Sequence, residues 1–349
     1  MHALVAMKRA TLPIVLLSLT VAFISCDRDK DASQVKAQGP ASIAPADTPK
    51  LSLPPDSGPP PTLDSARAFQ YVKEIVAFGP RPLGSANHKK VEDYILVHLK
   101  GDEVGNDVFT ADTPEGKFPV HNVVAKFPGT KDGIIIIASH YDTNYPLRNT
   151  SYVGANDGGS SSALLLELAN QLRGKKRDGY SVWLVWDDAE EAIKPDGSGG
   201  LRQEMPFEKD SLYGITHLAE KWEADGTLKK IKAFLLADMI GDADLNVDRD
   251  GNSTAWLEEV IYEAASRLGY QSHFFGRTLP SVDDDHIPFV KRGVPSADLI
   301  DFNYGYNDVF WHTTQDTVDK LSPKSLEIVG STILETIRIL DKMDPLPPK

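Results

Sequence analysis

From residue 63 onward the chain alternates short, unbroken apolar runs with longer amphipathic ones. Residues 133–139 (GIIIIAS), 180–186 (YSVWLVW), 231–237 (IKAFLLA) and 296–300 (SADLI) are short and almost wholly apolar. They read as strands buried on both faces. Residues 64–78, 86–99, 160–172, 212–222, 254–268 and 323–340 carry apolar side chains at helical spacing and read as helices. A strand–strand section (VFTADTP, then HNVVAKFPG) precedes the first buried strand, and a turn-rich joint, Gly79-Pro80-Arg81-Pro82-Leu83-Gly84-Ser85, separates the first two helices. Strands alternating with helices predict an α/β fold: a three-layer sandwich whose central, mostly parallel sheet has helices on both faces.

The first 62 residues follow neither pattern. Lys8 and Arg9 precede an apolar run over residues 12–24, and Ser25-Cys26 follows. A basic start, a short apolar stretch and a small-residue end describe an export signal, and the run is short for a membrane span. Cys26 is the chain's single cysteine. Its position resembles the lipobox of bacterial lipoproteins; an ordinary signal peptide with an incidental cysteine is the alternative. Residues 27–62, rich in Pro, Ala, Ser and Asp, lack the apolar content to offset their ordering entropy and read as a disordered tether. The expected organisation is therefore signal peptide 1–26, tether 27–62 and one α/β domain 63–349. The expected location is periplasmic or cell-surface, with membrane attachment only through a lipidated Cys26. Asp27 after that cysteine resembles an inner-membrane retention signal.

With a formal net charge of −13 over 349 residues, the chain lacks the basic footprint that nucleic acid or an anionic membrane surface requires. A lone cysteine also excludes cysteine-rich zinc sites, so any zinc must sit on His, Asp and Glu. Those residue types gather where the pattern predicts strand ends. Residues 133–139 run into His140-Tyr141-Asp142, residues 181–186 into Asp187-Asp188-Ala189-Glu190-Glu191, and residues 233–237 into Asp238. In a parallel sheet these ends share one edge, where open α/β sheets bind ligands. Asp157, in a glycine-rich turn before a helix, and His312, in a late loop, complete an all-N/O set. Glu190 is left beside it as a free carboxylate, the arrangement catalytic zinc needs.

The segments His140-Tyr141-Asp142, Gly154-Ala155-Asn156-Asp157-Gly158, Glu190-Glu191, Asp238-Met239-Ile240-Gly241 and Trp311-His312-Thr313 resemble the zinc exopeptidase superfamily in order and spacing, over roughly residues 65–345. That superfamily includes di-zinc aminopeptidases and glutaminyl-peptide cyclotransferases. The resemblance implies that Asp157, Glu191 and His312 bind one zinc, and that His140 and Asp238, with Asp157 bridging, can bind a second. It makes Glu190 the general acid/base. Residues 210–219, 284–295 and the 79–85 joint resemble the cyclases more closely, which implies a proton-handling network of Glu190, Asp238 and Asp284. Residues 193–207, without the tryptophan of animal cyclases, and the tail 313–321 lean toward the aminopeptidases. Trp311 is expected to wall the substrate pocket, His286 to be a structural partner of the acidic cluster, and His217 to pack or lie at the surface. The implied substrates are peptide or protein N-termini, with one zinc for a cyclase and two for an aminopeptidase, and the protein is expected to be a monomer. A zinc-stabilised, non-enzymatic peptide-binding lipoprotein is the reading from another class.

Overall fold

A computed structural model of the chain describes residues 51–55, 58–194, 210–343 and 345–347. Cys26, the export signal, most of the tether and residues 195–209 of the insertion lie outside the described residues. The chain opens with helices α1 (Ser65–Ala77) and α2 (Ala86–His98), capped by Asp64 and Ser85, whose side chains accept the backbone N–H of Arg67 and His88. Strands β1 (Glu103–Thr113) and β2 (Gly116–Phe127) form a hairpin. Next come β3 (Gly129–His140), α3 (Gly159–Leu172), β4 (Arg177–Asp187), α4 (Tyr213–Asp225) and β5 (Ile231–Asp238). The chain then passes through β6 (Val247–Asp250), α5 (Ala255–Arg267), β7 (Phe274–Leu279) and the short α6 (Ile287–Val290). It ends with β8 (Ser296–Ile300) and α7 (Pro323–Lys342).

The central sheet has the order β1-β2-β4-β3-β5-β8. β4, β3, β5 and β8 run parallel, and the β1–β2 hairpin joins β4 antiparallel. Alternate residues of β3 face opposite ways. Ile135 and Ile137 enter a core built with α1, α2, α3, α5 and α7, while Ile134, Ile136 and Ala138 enter a second core with α4 and Phe289 of α6. Burial on both faces is why the central strands are continuously apolar. The three-layer α/β sandwich is the architecture the pattern predicts.

Two features differ from the sequence reading. A second, two-stranded parallel sheet joins β6 to β7. Its strands are four and six residues long, and VDRD in β6 is polar, so no apolar period marks them. The tether was expected to reach residue 62, yet the compact unit begins at Leu51. Leu51 and Leu53 pack on the larger core, Arg267 donates to the Pro54 carbonyl, and Arg338 donates to the Pro59 carbonyl at 2.9 Å. A proline-rich extended segment has no helical or strand period, so its anchorage rests on contacts the pattern does not record. Among the described residues no helix is long and apolar enough to cross a membrane.

Candidate active site

Three adjacent parallel strands deliver the site. His140 ends β3, Asp187 ends β4 and Asp238 ends β5, and β3 lies between the other two. The chain leaves β3 toward β4 on one side and reaches β5 on the other, so the edge above β3 is the crevice where open α/β sheets hold ligands. The backbone is left-handed at Ala189 (φ 58°), next to Glu190, at Met239 (φ 46°), next to Asp238, and at His312 (φ 50°). Such conformations are costly outside glycine and collect at functional sites. Gly158 (φ +69°) caps α3 directly after Asp157; a Cβ there would lie 2.7 Å from the His140 ring, so only glycine lets turn and ring approach.

Two groups of buried ligand-type atoms share Asp157. In the first, His312 Nε2 lies 3.2 Å from Asp157 Oδ2 and 3.4 Å from Glu191 Oε2. In the second, His140 Nε2 lies 3.1 Å from Asp157 Oδ1 and 3.3 Å from Asp238 Oδ1. Both ring nitrogens of His140, Glu191 Oε1 and His312 Nδ1 are buried without a hydrogen-bond partner. Buried polar atoms are rarely left so, and an all-N/O set with unsatisfied donors and acceptors fits zinc. Burial alone would raise the Asp157 carboxyl, but the flanking His140 and His312 hold it below the usual carboxylate range. Burial lowers His312, and Glu191 and Asp157 overcome this and carry it up to about 10.

Other residues hold these groups in place, and several escaped the sequence reading. Asp142 accepts the backbone N–H of Glu190 and of Glu191, each at 3.3 Å. Tyr152 donates to Asp157 Oδ2 at 2.6 Å, and Asn144 to Glu191 Oε2 at 2.9 Å. Asp316 accepts the N–H of Asn156 (2.8 Å) and Asp157 (3.2 Å) and the hydroxyl of Tyr304 (2.7 Å). Arg81, wholly buried, donates to the carbonyls of Tyr141 (2.7 Å), Val153, Gly154 (2.9 Å) and Asp157 (3.1 Å). Arg81 stands in the joint singled out in the sequence and Asp316 in the tail, but side-chain bonds to a distant backbone leave no mark on sequence spacing.

Glu190 is almost fully buried, with its Oε2 3.8 Å from Nδ1 of His140 in the second group. Burial, and then the nearby Glu191, Asp284 and Asp142 carboxylates, push its carboxyl well above the usual range, with His140 opposing. Burial and then Asp238 push Asp284 up in the same direction. Asp284 thus has Glu190 and Asp238 as electrostatic neighbours, and like charges favour the protonated forms of Glu190 and Asp284. Half-buried Trp311 stacks on His312, with ring centroids 4.4 Å apart, and meets Phe302 edge-on. His286 lies away from both ligand groups, between Asp250 and Asp298. His217 stacks on Phe109 and contacts Asp107, a packing role as expected.

The sequence pattern of peptidase family M28 matches residues 122–337, a span that takes in every ligand-type residue described above. The chain belongs to peptidase family M28. Within and around the family, the glutaminyl-peptide cyclotransferase-like protein of Bos taurus is 32% identical over 274 residues, spanning 70% of this chain and 68% of that protein. A glutaminyl cyclase from an Acidobacteriales bacterium superposes with a TM-score of 0.77 at 46% identity, covering 84% of this chain and 99% of that one. A Zn-dependent exopeptidase from Parabacteroides distasonis superposes with a TM-score of 0.71 at 26% identity, covering 80% and 99%. M28 is a zinc-dependent family, and this member has buried ligand sets to match.

Proposed function

We propose that this M28 member is a zinc-dependent glutaminyl-peptide cyclotransferase, which converts the N-terminal glutamine of a peptide or protein to pyroglutamate and releases ammonia. The observation that carries the reading is the buried Asp284 carboxyl beside Asp238 and Glu190. Similarity to glutaminyl cyclases over nearly their full length supports it.

The substrate supplies its own nucleophile. Its α-amine, neutral near an ordinary pKa of about 8, attacks the γ-amide carbon. The new C–N bond closes a five-membered ring, the bond to the amide nitrogen breaks, and that nitrogen leaves as ammonia. One proton must therefore move from the attacking amine to the departing nitrogen. Glu190 accepts and returns it as general base and then acid. A carboxyl raised by burial and by Asp284 is suited to both halves of that transfer. Asp284, with Asp238 as its charged neighbour, shares the proton load with Glu190, and Trp311 walls the glutamine side chain. Zinc held by Asp157, Glu191 and His312 would supply a Lewis acid for the amide oxygen. One ion suffices for this chemistry.

The group His140, Asp157 and Asp238 favours a second reading, a di-zinc aminopeptidase that hydrolyses N-terminal residues. The two readings separate on product. Incubated with a Gln-initiated peptide, the cyclase yields a peptide lighter by one ammonia, and the aminopeptidase yields a free amino acid. Asp284→Asn should cripple the cyclase with zinc still bound. Hydrolysis by the wild type, with near-wild-type activity in Asp284→Asn, would overturn the proposal. We further propose that the enzyme acts as an exported monomer tethered through a lipidated Cys26.

A further inference from the structure

The central sheet has two ends, and they differ in charge. The crevice lies where the parallel strands finish. The opposite end is a rim made by the turns that lead into β3, β4, β5 and β8, joined by the turn into β1, which runs in the same sense as β4 because two antiparallel pairings separate them. Lys100 stands in the turn into β1, Lys175 and Lys176 in the turn into β4, Lys229 and Lys230 in the turn into β5, and Lys291 shortly before β8. All six are exposed, and none pairs with a carboxylate among the described residues. The arginines of the rim are engaged instead: Arg173 with Asp102, Arg177 with Asp341 and Arg292 with Glu223. Against the six lysines stand Asp132, Asp178 and Asp225, the rim carboxylates that no lysine or arginine meets. The net charge of −13 conceals this local excess, because Asp142, Glu190, Glu191, Asp238 and Asp284 sit at the other end. Neighbouring strands lie about 4.8 Å apart, so a sheet of six strands spreads the lysines along about 24 Å.

We propose that this rim docks on a bilayer rich in anionic phospholipid, so that the crevice at the opposite end faces away from the membrane. The free cations are all lysines, mobile point charges suited to a fluid layer of headgroups. The guanidinium forks, which nucleic-acid recognition favours, are already occupied by carboxylates. Val97, 69% exposed in the last turn of α2, adds an aliphatic side chain at the same rim, where a nucleic-acid binder would present an aromatic ring to stack on bases. The inference stands on the rim alone and requires neither the cyclase chemistry nor the lipidation of Cys26.

The test is co-sedimentation of the full-length chain with two kinds of vesicle, phosphatidylcholine alone and an equimolar mixture of phosphatidylcholine and phosphatidylglycerol. Neutral vesicles record any apolar attachment by the N-terminal segment, and the gain on the anionic ones records the charge. Each lysine near an anionic surface is worth roughly fivefold in partition. Lys175→Gln, Lys176→Gln, Lys229→Gln and Lys230→Gln together should therefore cut the gain on the order of 100-fold. Salt at about 0.5 M should remove the wild-type gain by screening. A control with the same change in net charge, Lys73→Gln, Lys89→Gln, Lys90→Gln and Lys117→Gln, alters exposed lysines outside the rim and should keep most of it. Turnover of a soluble peptide should match wild type in both variants, which verifies their folding. If the fourfold rim variant does not fold, the Lys175–Lys176 and Lys229–Lys230 pairs are tested separately, each for a loss of roughly 25-fold. Equal losses in rim and control variants, or no wild-type gain on anionic vesicles, would overturn the inference. So would tighter binding of the wild type to a DNA duplex than to the anionic vesicles, which would make the rim a nucleic-acid surface.

Discussion

Replacing Arg81 with lysine should loosen the metal ligands without unfolding the protein. The guanidinium reaches four carbonyls, one in the segment after β3 and three in the loop that carries Asp157. Lysine keeps the charge, but its compact ammonium cannot span that fork, and we expect at least two carbonyls to lose their donor. A buried polar group left unpaired costs roughly 1–3 kcal/mol, which gives about 2–6 kcal/mol for the pair. That lies within the total stability of about 5–15 kcal/mol usual for a domain, so Arg81→Lys should still fold. Arg81→Met, which strands all four, should cost about twice as much, roughly 4–12 kcal/mol. Urea unfolding of the metal-free protein reads the loss directly: at a slope near 3 kcal/mol/M the midpoint should fall by about 0.7–2 M. Zinc affinity should drop roughly 10- to 100-fold, because the Asp157 carbonyl is one of the four anchors. A midpoint and a zinc affinity both equal to wild type would refute the claim that Arg81 holds the ligand loop.

Glu190→Gln should retain zinc and lose about 10²–10⁴-fold in kcat, the usual contribution of a positioned acid–base group; full turnover would remove Glu190 from the mechanism. Glu258, buried on α5, is raised from 4.5 to about 7, chiefly by burial and against the pull of Arg249. Between those values the folded protein holds this proton more tightly than the unfolded chain does, so ionisation lowers stability as pH rises through the window. Glu258→Gln should flatten that part of the stability–pH curve, and an unchanged slope would contradict the assignment. Cys26→Ser should release the protein from membranes or leave it unprocessed; a wild type already soluble after gentle lysis would rule out the lipid anchor.

The layers and the location of the site were legible because both come from local signals. Unbroken apolar runs such as 133–139 mark strands covered on two faces, and the residues that end them, His140, Asp187 and Asp238, share an edge by the geometry of parallel strands. The supporting residues were not legible. Asp316 meets the Asn156 and Asp157 amides across roughly 160 positions of sequence, and Arg81 meets carbonyls that any residue could supply. The buried carboxyls of Asp187, Asp285 and Asp298 read as ordinary polar residues until the fold removes them from water. Residues 51–55 and 58–61 differ for the opposite reason: proline-rich chain that looks unstructured by composition can still be pinned by two arginines, at Pro54 and Pro59.

The sharing of Asp157 has a thermodynamic consequence. One of its oxygens faces His140 and the other faces His312, with Tyr152 donating to the second. A cation drawn to either side would withdraw charge from the carboxylate that the opposite side depends on. Occupancy of the two positions is therefore linked through a single residue, and linkage is reciprocal: whatever the first ion does to the second, the second does to the first. If both positions fill, as the aminopeptidase reading requires, metal titration should follow a two-step isotherm whose steps cannot be assigned to independent sites. Any change at Tyr152 should move both steps together.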